Sequence, residues 1–270
     1  MDQEMEIICV GNELLIGKTL NTNAQWLAKR ATTLGVYVKR IIVVGDYVDE
    51  IAATVNEALR REPRFIITTG GLGPTFDDRT LHGLAKALNR AMTLDETALQ
   101  MIKKKYEMYV EEGKIETAEL TPPRIKMATL PEGAESLPNS VGTAPGIKIM
   151  ANETLMVALP GVPNEMEAIF NESVANLIRS RVGRVVFLED SMYSHRIVES
   201  ALAPLIDKTM SLNPYVYVKS HPKGPNRGIE IHFSTSAKDY KNAESRLKNA
   251  MAQLADLIRD EGGKVDHQKE

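Results

Sequence analysis

Disulfide chemistry is absent from this chain of 270 residues: Cys9 is its single cysteine, so no intrachain bridge can form and nothing demands an oxidising compartment. Flanked by Ile7, Ile8 and Val10, that thiol reads as a buried strand residue rather than a nucleophile. Charge of one sign is equally scarce. A formal net charge of −3 excludes, on overall balance, a polycation for nucleic acid and a membrane-surface protein. No apolar run approaches the ~18 residues of a membrane span. The acidic start Met1-Asp2-Gln3-Glu4, followed by only a short apolar run, lacks the positive beginning and long core of a signal peptide, so a cytoplasmic location is expected. There is no Gly-x-Ser-x-Gly elbow or Cys/His pair for covalent catalysis. His82, His195, His221, His232 and His267 are scattered without metal-ligand spacing.

What is present is ordinary globular composition, 43% hydrophobic and 26% charged, enough for one large or two ordinary domains. The first two thirds alternate short apolar runs with amphipathic segments, the pattern of a mostly parallel sheet covered by helices. Strands are expected at Glu6 to Val10, Val36 to Val44, Phe65 to Thr69, Gly146 to Met150 and Thr154 to Leu159. Helices are expected at Thr22 to Leu34, Val48 to Arg61, Asp78 to Asn89, Asp95 to Glu112 and Pro163 to Ser180. Thr93-Leu94-Asp95-Glu96 has capping-box spacing ahead of the fourth. Between Gly113 and Pro145 the text turns irregular, as a lid or pocket wall would, with ligand contacts expected in its last third. A second unit, residues 181–270, reads as small α+β. It has strands at Arg184 to Asp190, Tyr215 to Ser220 and Gly228 to Ser234, helices at Ser194 to Met210 and Lys238 to Asp260, and a frayed polar tail from Glu261. Its 14 basic and 12 acidic residues carry no marked positive field.

The most informative stretch runs from Phe65 to Asp78. A buried strand enters Gly70-Gly71-Leu72-Gly73-Pro74-Thr75, and two carboxylates, Asp77 and Asp78, then open a helix. Glycine-freed amides at a helix start make an anion site. Adjacent acids would repel a bare phosphate, so a divalent cation bridging acids and ligand accounts for both. Phe76 stands where a Rossmann fingerprint needs its third glycine, and no Gly-Lys-Ser/Thr follows for a Walker loop. In an open α/β sheet ligands bind beyond the strands' carboxyl ends. The other exits repeat the pairing of glycine and acid: Gly11-Asn12-Glu13, Gly45-Asp46 and Pro160-Gly161-Val162-Pro163-Asn164-Glu165. Each acid taken alone reads equally as a helix cap or first-turn residue; four exits together point to a site.

These segments, with Asn21-Thr22-Asn23, Asn139-Ser140-x-Gly142-Thr143-Ala144-Pro145-Gly146 and Leu159-Pro160-Gly161-Val162-Pro163-x-Glu165-Met166, resemble the CinA family in order and spacing. The resemblance implies a three-layer, molybdopterin-binding-like (MoaB/MogA-like) α/β domain over residues 1–180. More weakly, it implies a small KH-like α+β domain over 181–270. There, Lys223-Gly224-Pro225-Asn226-Arg227-Gly228 is not a Gly-x-x-Gly clamp, and aromatic stacking positions are not evident, so nucleic acid is not expected as a partner.

The family association is with metal-dependent ADP-ribose pyrophosphatase activity. The expected ligand contacts are Gly11, Asn12, Gly70, Gly71, Gly73, Thr75, Asn139, Ser140, Gly142, Thr143, Gly161, Pro163 and Glu165. Asp46, Asp77 and Asp78 would hold Mg²⁺ or a transition metal such as Co²⁺, Ni²⁺ or Mn²⁺, with Glu13 or Asp46 as general base. The alternatives are a molybdopterin or other pterin-phosphate binding or transfer protein and a non-enzymatic ligand-binding or RNA-associated module. A homo-oligomer, dimer or trimer, is the prior from the fold. Asn12 stands where many relatives carry aspartate, leaving Glu13 as the first-strand acid. The family's C-terminal amidase domain is not expected here, since the chain ends at Glu270.

Overall fold

The structure, a computed structural model, describes residues 3–223 and 228–266. Two compact units are distinguished, one of residues 1–32 and 36–181 and one of 33–35 and 182–270. The first begins with β1 (Glu4–Val10), a one-turn helix α1 (Asn12–Leu15), α2 (Thr22–Thr33), β2 (Tyr37–Val44), α3 (Val48–Arg60) and β3 (Phe65–Thr69). It continues with α4 (Thr80–Ala87), β4 (Met92–Leu94), α5 (Glu96–Glu111), α6 (Pro122–Met127), β5 (Thr129–Pro131) and β6 (Glu135–Leu137). It closes with β7 (Gly146–Ala151), β8 (Thr154–Leu159), α7 (Pro163–Ile169), a widened helical turn at Phe170–Val174, and α8 (Ala175–Val182).

Six strands form one sheet in the order β2-β1-β3-β8-β7-β6. β1, β3 and β8 are buried on both faces along almost their whole length, because helices cover the sheet on each side. On one face Ile8, Val10, Ile66 and Met156 pack with Ile51 and Val55 of α3, Leu84 of α4 and Ile102 of α5. The alternate residues Ile7, Cys9, Ile67 and Val157 point to the other face, where Leu27 of α2 and Met166 and Ile169 of α7 are buried. There Trp26 meets Phe170 edge-on, ring centroids 5.3 Å apart. The edge strand β2 carries Lys39 and Arg40, charges that discourage further pairing. Arg40 and Arg61 converge on Glu6, which is buried in β1.

The second unit comprises β9 (Val186–His195), α9 (Glu199–Leu212), β10 (Val216–Pro222), β11 (Ile229–Ala237), α10 (Tyr240–Asp260) and β12 (Lys264–Asp266). Its antiparallel sheet runs β10-β11-β9-β12. β11 alternates buried and partly exposed residues, the mark of a one-faced sheet, and Ile231 and Phe233 pack under Leu202 of α9 and Leu254 of α10.

Several expectations need correction. β7 runs antiparallel to β8, joined by a tight hairpin in which Asn152 takes φ +53°. The cap of α5 is Asp95, whose side chain accepts the Ala98 N–H at 2.6 Å; Thr93 belongs to β4. Asp78 does not open α4, which begins at Thr80. Pro163 to Ser180 is interrupted at Phe170, and Ser194 and His195 extend β9 rather than starting a helix, because they pair with β11 and β12. The tail does not fray at Glu261: Gly262 turns at φ +81° and leads into the edge strand β12. Residues 224–227 and His267 lie outside the described residues. Among those described, no helix is long and apolar enough to cross a membrane.

Candidate functional site

Four parallel strands end level with one another. Val10 is in register with Val44, Cys9 with Thr69, and Thr69 with Leu159. Their exits therefore share one rim, where a cavity of about 340 Å³ opens. Gly11 and Glu13 line it from the first exit, Asp46 from the second, and Gly161 and Glu165 from the last. The third exit contributes Gly70, Gly71, Gly73, Thr75, Asp77 and Asp78, and the segment before β7 contributes Thr143.

The glycine loop folds around Thr80, which is fully buried. The Thr80 hydroxyl donates to the Gly70 carbonyl at 2.7 Å and its N–H to the Gly71 carbonyl at 3.1 Å. Gly70 sits at φ +103°, and a Cβ there would overlap the carbonyl oxygen of Val10, so only glycine fits. Its N–H donates to Leu159 O at 3.0 Å and is not available to a ligand. The amides of Gly71 and Gly73 have no partner among the described residues, which leaves them as free donors of the kind an anion would need.

The carboxylates are held by local donors. Thr75 donates through its N–H to Asp78 Oδ2 at 2.8 Å, and its hydroxyl reaches the same oxygen at 2.6 Å and also Asp77 Oδ1. That hydroxyl bond is the leading cause holding Asp77 below the usual carboxylate range. Asp78 and Glu13 fold back against Gly73 and Gly11, where a Cβ would displace them. Asp46 Oδ2 accepts the Asn12 N–H at 2.8 Å, so Asn12 acts on the site through its backbone and not as a wall residue. Asp46, Asp77 and Asp78 were expected to form a metal centre, but among the described residues no three His, Cys, Asp or Glu side chains are grouped to hold a metal ion by themselves. The adjacent pair Asp77 and Asp78 fits a cation that takes one or two carboxylates and completes its shell with ligand oxygens and water, as Mg²⁺ does.

Of the segment before β7, Asn139 acts from behind. Its Nδ2 donates to Glu165 Oε2 at 2.7 Å and to Ala144 O at 2.8 Å, while Oδ1 accepts the N–H groups of Val141 and Gly142. Gly142 leaves the space that the Glu165 carboxylate occupies. Ser140 is drawn elsewhere, donating to Glu172 Oε1 at 2.7 Å, and is not a wall residue. Pro163 lines a smaller neighbouring chamber.

Thr80 and Lys126 were not singled out in the sequence, and Asn23, within the Asn21-Thr22-Asn23 motif, was given no role. Thr80 braces the glycine loop from α4, and Asn23 of α2 ties Thr69 at the end of β3 to the Gly161 carbonyl of the last exit. Lys126 of α6 donates from Nζ to the Thr75 carbonyl and faces Asp77 and Asp78 electrostatically. Burial lowers the Lys126 pKa, while the two acids pull it back up. His82 nearby is also lowered, first by burial and then by Lys126 and Arg79. Pro122 and Pro123, after Thr121, were the available signal for the helix that carries Lys126.

Residues 6–180 match a family model described as a probable molybdopterin binding domain. A protein from Pyrobaculum arsenaticum is 44% identical over 260 residues, 95% of this chain and 95% of the relative. One from Aeropyrum pernix is 42% identical over 265 residues, 97% and 96% of the two chains. The crystal structure of the protein CinA, of unknown function, from Thermoplasma acidophilum aligns at TM-score 0.59 and 41% identity, covering 65% of this chain and 98% of that one.

Proposed function

This chain belongs to the molybdopterin-binding-domain family through residues 6–180, and from that footing we propose that its rim cavity binds a phosphorylated nucleotide or pterin. The leading reaction on this reading is cation-dependent hydrolysis of the diphosphate of ADP-ribose or a related nucleotide. One observation carries it: the unpaired amides of Gly71 and Gly73 line the same cavity as the paired acids Asp77 and Asp78. Amides alone suit an anion, and acids alone repel one. Together they suit a diphosphate that arrives with a divalent cation.

Bound there, such a cation would neutralise diphosphate oxygens and ease ionisation of the attacking water. Gly71 and Gly73 would orient the diphosphate through their N–H groups. Asp77, kept ionised by the Thr75 hydroxyl, would stay available for the cation. Glu13 is the better general base of the two acids considered, because Asp46 Oδ2 is already engaged by the Asn12 N–H and the Glu13 carboxylate accepts no hydrogen bond among the described residues. A proton from water would pass to a Glu13 carboxylate oxygen.

Pterin-phosphate binding or transfer is the second reading. It is favoured by the family description. Incubation with ADP-ribose and a series of Mg²⁺, Mn²⁺, Co²⁺ and Ni²⁺, following AMP release, separates the two. No AMP with any cation, or undiminished turnover in Asp78→Ala, overturns hydrolysis. A copurified fluorescent pterin without hydrolysis favours the second reading.

A further inference from the structure

Three consecutive residues of the widened turn at Phe170–Val174 each have a distant partner. Phe170 meets Trp26 of α2 edge-on, Asn171 Oδ1 accepts the Arg30 Nε–H at 3.1 Å, and Glu172 Oε1 accepts the Ser140 hydroxyl at 2.7 Å. Turns hydrogen-bonded i to i+5 occur mostly as single bulges in helices and are frequent at functional sites. Ser140 is held from a second side, because Lys105 Nζ of α5 donates to its carbonyl at 2.8 Å. Its hydroxyl and its carbonyl are thus both engaged with residues that do not line the cavity. Three residues further on, Thr143 does line it. The Thr143 hydroxyl and N–H have no partner among the described residues. Between the two, Asn139 Oδ1 gathers the N–H groups of Val141 and Gly142 into one compact turn, so a displacement of Ser140 is passed on to Thr143.

We propose that Ser140 is a positioning residue for the rim cavity: clasped between Lys105 and Glu172, it fixes the wall segment so that the Thr143 hydroxyl donates to a phosphate of the ligand. The inference rests on the reading that a phosphorylated ligand occupies the cavity. Two successive residues of the turn dock on two carboxylates seven residues apart, Asn139 on Glu165 and Ser140 on Glu172. Two anchor points set an orientation that one would leave free to pivot. Lys105 closes the clasp from α5, and the Trp26 and Arg30 contacts hold the turn that carries Glu172. Ordering the segment before the ligand arrives removes that cost from binding. Thr143 then adds a neutral donor to the free amides of Gly71 and Gly73, and a phosphate has acceptor oxygens for both.

The test is calorimetric titration of the intact chain with inorganic pyrophosphate in the presence of Mg²⁺. Ser140→Ala and Glu172→Ala are each expected to weaken binding about fivefold, and Ser140→Thr, which keeps the hydroxyl, by less than about twofold. In a Thr143→Val background Ser140→Ala is expected to cost less than about twofold, because the clasp acts through Thr143. The affinity for Mg²⁺ alone is expected to stay unchanged in Ser140→Ala, since Asp77 and Asp78 belong to the glycine loop. Undiminished pyrophosphate binding in Ser140→Ala, a full fivefold loss persisting in Thr143→Val, or a parallel fall in Mg²⁺ affinity overturns the positioning role while leaving the rim cavity's reading intact. Failure of the wild type to bind pyrophosphate overturns that reading instead. The clasp is then read in the ligand-free protein by NMR, where Ser140→Ala is expected to shift the Thr143 methyl resonance and Ser140→Thr to leave it in place; an unmoved resonance in Ser140→Ala overturns the clasp.

Discussion

Thr75 holds Asp78 twice through one oxygen: its N–H donates to Oδ2 at 2.8 Å and its hydroxyl reaches the same atom at 2.6 Å. The hydroxyl also lies against Asp77 Oδ1. It has one proton for two carboxylates, so at any moment one of them must be satisfied by solvent, a cation or a ligand. The arrangement keeps two negative charges adjacent at the cavity, with the Lys126 charge nearby but its Nζ bonded to the Thr75 carbonyl, and a bridging cation would relieve it.

Replacing Thr75 by Val should therefore raise the Asp77 pKa back towards its ordinary value of 3.8, whereas Thr75→Ser should not. The native pKa is depressed, so the stability it contributes is fully present above 3.8 and is lost as pH falls through the lower folded-state value. Asp77 is solvent-exposed, and the observable is its carboxyl ¹³C shift titrated by NMR rather than a melting temperature. Identical titration curves in wild type and Thr75→Val would show that the hydroxyl does not set the charge.

Two glycines should respond differently to alanine. At Gly70 the added Cβ meets the backbone carbonyl of Val10 at an unfavourable φ, and neither can yield without breaking the β1–β3 register. Gly70→Ala should cost at least about 2 kcal/mol in urea unfolding. At Gly142 the obstacle is the far end of the Glu165 side chain, which can swing away. Gly142→Ala should keep wild-type stability within about 1 kcal/mol while breaking the Asn139 to Glu165 bond and weakening ligand binding. A Gly142→Ala protein with unchanged binding would remove Glu165 from the site.

The fold also depends on a charge below the sheet's surface. Glu6 is 1% exposed and accepts Arg61 through both oxygens, at 2.7 Å each, with Arg40 at 3.1 Å on Oε1. Arg61→Met leaves that carboxylate with one part-exposed partner and should destabilise by about 3 kcal/mol at neutral pH. The double variant Glu6→Met/Arg61→Met should recover much of the loss, because no buried charge remains. A double variant less stable than the single one would mean that the pair contributes net stability.

How much of this was legible in the sequence follows from range. Phe65 to Thr69 and Thr154 to Leu159 are short runs of apolar residues and threonine, and both appear as strands with the bounds expected. Glycine and acid at each strand exit are visible locally, and parallel register brings them to one rim. An apolar run carries no direction, which is why β7 was not recognised as antiparallel. β4, β5 and β6 have three residues each, too few for any period. Asn23 reaches residues 46 and 138 positions away, and Lys126 reaches back 51. Contacts at such separations leave no local pattern.

Lys126 offers a test whose two arms have opposite signs. Its Nζ donates to the Thr75 carbonyl and its charge stands near Asp77 and Asp78. If it serves the site, its charge does two things: it attracts anions to the Gly71 and Gly73 amides, and it competes with a cation for the acids. Lys126→Met should then weaken binding of inorganic pyrophosphate by about fivefold and tighten binding of Mg²⁺ alone by a similar factor, the scale of a partly exposed ion pair. Lys126→Arg, which keeps the charge, should change each by less than about twofold. A lysine that only props the loop would behave otherwise, because loosening Thr75 would disperse the acids and the amides together. Both affinities would then fall in Lys126→Met, and calorimetry with each ligand in turn distinguishes the two cases.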